Sequence, residues 1–168
     1  MSGPHRVRCA ISLVAVLLAA SLAGCIQSDG GGGDGADEGG ATLVIDFEGF
    51  EPDTLPGKEA TWTPDGEGGW TLVSETTGGD TVYTVHNVTG TSVLDLLLEA
   101  CGASGIEVEH HTEPMGAFVD IIDGVENGRD DHHWSYYVNG EYGTVAADRA
   151  TVEDGDVVRW VYMGNPFG

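Results

Sequence analysis

Positive charge is what this sequence lacks most. Six Lys and Arg residues stand against 28 Asp and Glu, a formal net charge of -22 over 168 residues, and Lys58 is the one lysine. Nucleic acid is excluded as a partner, because it is held through a basic footprint that is missing here. The acids are spread along the chain from Asp29 onward, so a simple acidic tail does not account for them. Catalytic motifs are missing too: there is no Gly-x-Ser-x-Gly elbow, no phosphate-binding glycine loop and no activated Cys–His pair. We therefore expect a protein that is not an enzyme and carries no cofactor. Cysteine is scarce. Cys9 and Cys25 lie near the start, which leaves Cys101 without an intramolecular disulfide partner in the rest of the chain.

Such a charge strains a compact domain by self-repulsion. At about 1 M salt the Debye length falls to roughly 3 Å and most of that repulsion is screened. The composition reads as that of an extreme halophile.

No apolar run reaches the roughly 20 residues that a membrane helix needs. The one that comes nearest, "AISLVAVLLAASL" at 10–22, follows the basic "HRVR" at 5–8, as the apolar region of an export signal does. It ends in "LAGC" at 22–25, which resembles the lipobox of prokaryotic lipoproteins. By that resemblance 1–24 is a lipoprotein signal peptide and Cys25 takes the lipid, placing the protein on the extracellular face of the cell membrane. Residues 25–40 then form a Gly/Asp-rich tether, since "SDGGGGDGADEGG" has almost nothing to bury. Residues 41–168 are the globular domain.

Within that domain, strands are expected at 41–50, 69–75, 80–88, 106–111, 117–124, 134–138 and 156–162. One helix stands out in "TSVLDLLLEACG" at 91–102, with Ser92 as its cap, Asp95 three residues on and Gly102 as its end. The fold class is α+β: one helix packed on a mainly antiparallel sheet, β-grasp-like.

The most informative stretch is "WSYYVNG" at 134–140. Asn-Gly after an aromatic strand is a strong hairpin signal. Alternation puts Trp134, Tyr136 and Val138 on one face and Ser135 and Tyr137 on the other. Tyr136 and Tyr137 can either cover the sheet or touch a ligand. The order of "TSVLDLLLEACG", "GAFVDIIDGV", "WSYYVNGEYGTVAADRATVEDGD" and "VVRWVY" is similar to the transcobalamin-like C-terminal domain, a domain of unknown function in many prokaryotic lipoproteins. That resemblance implies binding: capture of cobalamin, another corrinoid or another small molecule for uptake, with a membrane transporter as partner. It places Trp134, Tyr136, Tyr137, Tyr142 and Thr144 on the ligand side. The helical barrel that completes a cobalamin site in that family is absent from this chain.

Two other readings come from the residues themselves. One is a protein-interaction module that docks on a membrane partner. The other is metal capture by His111, Asp130, His132 and His133, with Glu113 nearby, since "EHH" and "DDHH" carry suitable donors. Finally, "NVT" makes Asn87 a candidate glycosylation site on an exported chain.

Overall fold

In the computed structural model of the chain, residues 5–7 and 39–164 are described. Cys25, most of the export signal and most of the tether lie outside them. A short strand β1 (His5–Val7) runs beside β6 (Val108–Glu113), which pairs with β7 (Gly116–Ile122) and then β8 (Val125–Glu126). This is the smaller sheet.

The larger sheet has seven strands in the order β10-β9-β11-β2-β5-β3-β4. They are β2 (Ala41–Asp46), β3 (Lys58–Pro64), β4 (Trp70–Thr77), β5 (Val82–Val88), β9 (His132–Val138), β10 (Glu141–Tyr142) and β11 (Val157–Gly164). The class is α+β, as expected. The sheet, however, is mixed, because β11 with β2 and β3 with β5 run parallel. We therefore describe the fold by this strand order and not as mainly antiparallel or β-grasp-like. The strand β3 lies in a Gly- and Pro-rich stretch where no strand was expected; its sign was the alternation that buries Ala60 and Trp62.

Cross-strand register builds one buried face. Trp134 stands opposite Tyr162, Tyr136 opposite Trp160, Trp160 beside Ile45, and Ile45 opposite Tyr83. Leu43, Ile45, Tyr83, Val85, Val158 and Tyr162 on this face are wholly buried. Phe47 meets Tyr83 and Trp134 edge-on, with ring centroids 5.0 and 5.4 Å apart. The one α-helix among the described residues, α1 (Val93–Ser104), and the smaller sheet contribute Leu96, Leu97, Val108 and Ile122 to the same core. Burying one such side chain stabilises the fold by about 1.5–3 kcal/mol, so this layer dominates its stability.

The helix starts as its sequence dictates. The Ser92 side chain accepts the Asp95 amide at 3.1 Å, and the Thr91 hydroxyl donates to the Asp95 carboxylate at 2.6 Å, holding that carboxyl below its usual range. Its end differs from expectation. The helix passes Gly102 and stops at Gly105, whose left-handed backbone (φ 78°) lets its N–H reach the Cys101 carbonyl. Gly102 has no such conformation to supply and is carried inside the helix.

Candidate functional site

Two tight turns join strands that carry the site. Asn139 and Gly140, at φ 51° and 84°, turn β9 into β10, as "NG" foretold. The turn is tied to β11: Asn139 Nδ2–H donates to Asp156 at 2.8 Å, and the Val157 amide donates to Asn139 Oδ1 at 2.9 Å. Asp156 is thereby held below its usual pKa. Asp123 and Gly124, at φ 48° and 79°, turn β7 into β8 in the same way. The Asp123 carboxylate is buried and accepts from Thr54 Oγ1 at 2.6 Å and Tyr83 Oη at 3.0 Å. Desolvation raises its pKa despite these donors, and burial beside it pushes the Tyr83 phenol up as well.

Beyond β10 the chain folds back over the inner face of β9. The Gly143 amide donates to the Tyr136 carbonyl at 2.8 Å, and Tyr136 Oη donates to the Val145 carbonyl at 2.7 Å. A Cβ on Gly143 would lie 2.1 Å from the Tyr136 ring, so only glycine permits this approach. The tip of the β6–β7 hairpin then meets the same loop. The Ala117 amide donates to Asp148 at 2.9 Å, and Arg149 Nη2–H donates to the Pro114 carbonyl at 3.0 Å. Gly116, at φ 126°, would drive a Cβ to within 2.3 Å of that of Ala146.

Between hairpin tip, loop and β9 lies a cleft of about 690 Å³. Trp134, Tyr136 and Trp160 are its aromatic lining from the sheet, and Tyr142, Thr144 and Val145 come from the loop. Pro114, Met115 and Phe118 form the facing wall. Trp134 is fixed by its indole N–H on the Val125 carbonyl at 2.9 Å. Tyr136 is buried, which raises its phenol's pKa and keeps it neutral. A shallower depression of about 430 Å³ lies on the other side of the same loop and shares Tyr136, Tyr142 and Thr144.

Four of the five expected ligand-side residues, Trp134, Tyr136, Tyr142 and Thr144, therefore meet at one cleft. Tyr137 does not line it. It lies on the other face of β9, its hydroxyl 3.5 Å from Met163 Sδ and its ring edge-on to Tyr142 at 5.5 Å. Sequence reasoning missed Met115, Phe118 and Arg149, because they reach the cleft from other parts of the chain. Gly143 and Gly116 were the signal available.

The expected metal donors do not assemble. His111 on β6 pairs with Asp120 at 2.7 Å, which raises the imidazole's pKa, and has Glu113 at 3.7 Å. His132 Nδ1–H donates to the Asp130 carbonyl, 2.7 Å away, and the ring stacks on Tyr162. Among the described residues no group of three or more His, Cys, Asp or Glu side chains is placed to hold a metal ion. The separation follows from topology, since β6 and β9 belong to different sheets. Asn87 sits near the end of β5, half-buried and in a left-handed conformation (φ 56°), with the Gly40 backbone close against it.

No curated protein matches the chain. Among solved structures, one from Ruminococcus gnavus ATCC 29149, provisionally described as a metal-binding protein, is similar at 16% identity and a TM-score of 0.39, covering 64% of this chain and 97% of its own. Haptocorrin in complex with Cbi is similar at 17% identity and a TM-score of 0.37, covering 62% of this chain. The chain spans only 25% of haptocorrin's length. Residues 90–164, which include every residue lining the cleft, match a family described as Domain of unknown function (DUF4430).

Proposed function

We propose that this chain is a non-catalytic, lipid-anchored binding protein of the cell surface that captures a small molecule in the cleft and presents it to a membrane transporter. The observation that carries this reading is the cleft's apolar mouth. Met115, Phe118 and Val145 are among the few large hydrophobics left exposed, and all three lie on it. Exposed apolar side chains gathered around a concavity mark a binding site. A volume of about 690 Å³ lies in the range of small-molecule pockets. Corrinoids are the first ligands to test, on the resemblance carried by the "WSYYVNG" hairpin.

The test is a thermal-shift and tryptophan-fluorescence screen in molar salt against corrinoids and other cyclic small molecules. A hit should be weakened by Val145→Ala and Phe118→Ala with little change in the melting temperature of the free protein. A screen with no hit, or hits indifferent to both substitutions, sinks the reading. Anchoring is tested separately: Cys25→Ser should release the protein from the membrane or block its processing.

One observation favours a second reading, docking on a protein partner. The edge strand β4 leaves Leu72 and Val73 exposed, and an open edge can pair with another chain. Leu72→Asp with Val73→Asp would abolish such docking while leaving small-molecule binding intact.

A further inference from the structure

The cleft differs from the rest of the molecule in charge. Acids make up 28 of 168 residues, one in six, so a random set of 17 residues would include about three. The 17 residues lining the cleft include none. Asp148, next in sequence to the lining, has its carboxylate on the Ala117 amide. Glu141 borders the shallower depression instead.

The one charged residue on the cleft is a cation, Arg149. Other cations of the described domain have carboxylate partners: Lys58 has Glu75 at 2.9 Å, Arg129 has Asp130 at 4.0 Å, and Arg159 has Asp46. Arg149 makes a hydrogen bond to the Pro114 carbonyl and is exposed. A guanidinium offers five N–H donors in a planar fork that matches a carboxylate, so most of its donors remain available. The Asp148 carboxylate lies nearby, beside Gly116, but is engaged by the Ala117 amide, so in this acidic chain an arginine on the cleft that makes no ion pair needs a reason.

A second observation lies deeper. Trp160 lines the cleft and is buried, and its indole Nε1–H has no hydrogen-bond partner. Trp134, beside it, has its N–H satisfied. Buried donors are nearly always paired, because leaving one unpaired costs the whole desolvation penalty. The cleft thus combines an anion-matching group at its mouth with apolar and aromatic walls, and one of those walls, Trp160, carries a buried indole N–H that no protein acceptor meets.

We propose that the ligand is a cyclic apolar carboxylate, its acid group paired with Arg149 at the mouth and an oxygen at its far end accepting from Trp160 Nε1–H. This rests on the reading of the cleft as a small-molecule site. The walls select an apolar ring system by excluding water. The arginine and the absence of acids select negative charge, and the indole selects an acceptor over a bare hydrocarbon end.

Three probes with one ring system separate these parts: 6-hydroxy-2-naphthoate, its neutral carboxamide, and 2-naphthoate, which lacks the far oxygen. Binding is followed in molar salt by fluorescence, and the Trp160 indole N–H by two-dimensional NMR with Trp160→Phe to assign it. The hydroxynaphthoate should bind most tightly, and Arg149→Gln should weaken it roughly 3- to 10-fold. The same substitution should leave the carboxamide unchanged, and Arg149→Lys should lose less than Arg149→Gln. The Trp160 resonance should move downfield with the hydroxy compounds and stay in place with 2-naphthoate. A carboxamide that binds as tightly as the acid overturns the anion assignment. Equal losses for acid and amide in Arg149→Gln also overturn it, since Arg149 then only holds the hairpin tip. An indole signal indifferent to the far oxygen overturns the role of Trp160. Binding by none of the three overturns this inference, while the small-molecule reading of the cleft falls only if the corrinoid and cyclic-molecule screen also finds no hit.

Discussion

The two faces of β9 carry the same kind of side chain to different ends. Trp134 and Tyr136, two residues apart, lie on the inner face, are buried, and line the cleft. Tyr137, between Tyr136 and the turn, lies on the outer face against Met163 and Tyr142 and is only half-buried. The outer face of the sheet is otherwise polar around it: Arg159 is its cross-strand neighbour on β11 and is paired with Asp46. An aromatic residue's role here is set by the parity of its position, because a strand sends successive side chains to opposite faces. Aromatic content alone would not have separated the two.

The largest effect should come from breaking the inner face. Trp134→Ala removes a ring packed against Phe47 and Tyr162 and should cost about 3–5 kcal/mol, enough to unfold a domain of ordinary stability. Chemical denaturation in molar salt measures it. Tyr137→Ala should cost about 1 kcal/mol and leave ligand affinity unchanged. If the two substitutions cost the same, the distinction between the faces fails.

A smaller effect tests how the loop is seated on the inner face. Gly143→Ala puts a methyl group into the Tyr136 ring, and overpacking of this kind typically costs about 1–3 kcal/mol. It should also abolish ligand binding, since the loop from Tyr142 to Val145 must lift. Smaller still, Ser92→Ala removes the helix cap and should cost about 1 kcal/mol without touching the cleft. A Ser92→Ala protein that lost ligand affinity would show that the helix positions the site.

The smallest effect belongs to the rim of the smaller sheet. The hydrogen bond that His111 Nδ1–H donates to the Asp120 carboxylate holds the His111 pKa above 6.5. A raised histidine pKa means that folding favours the charged form. Its contribution is therefore fully present below about pH 6.5 and lost as pH rises through the folded value. His111 titrated by NMR should show an elevated midpoint, and Asp120→Asn should bring it back to the ordinary range. An unshifted midpoint in the wild-type protein would refute the pairing. Because the pair is half-exposed, molar salt should diminish the effect.

The charge itself makes a broader prediction. If -22 is matched to high salt, the melting temperature should fall steeply below roughly 0.5 M salt, where screening weakens.

Much of this was legible in the chain. The helix and its start at Ser92 were visible because its leucines and its cap act within a few residues of one another, while its end was read at Gly102 and lies at Gly105. The Asn139–Gly140 hairpin and the division of Trp134 from Tyr137 were visible because turn conformation and strand alternation are properties of the local backbone. The strand β3 was obscured by its Gly- and Pro-rich surroundings, and its parallel pairing with β5 leaves no short-range turn to read. The metal donors looked like a set in the sequence only because histidines and acids sit side by side along it; folding sends β6 and β9 to separate sheets.

By itself, then, the sequence determined the class of fold, the hairpin, the helix, and which aromatic residues share a face, because those follow from interactions between near neighbours. The cleft is a product of tertiary structure. Its walls come from 114–119, from Asn127 and from 134–160, and they close up because Gly116 lets the hairpin tip meet the loop and Gly143 lets the loop lie against Tyr136. The absence of an ion pair at Arg149 and the unpaired indole of Trp160 have the same origin, since hydrogen-bond and charge partners are chosen by distance in space and not by distance along the chain.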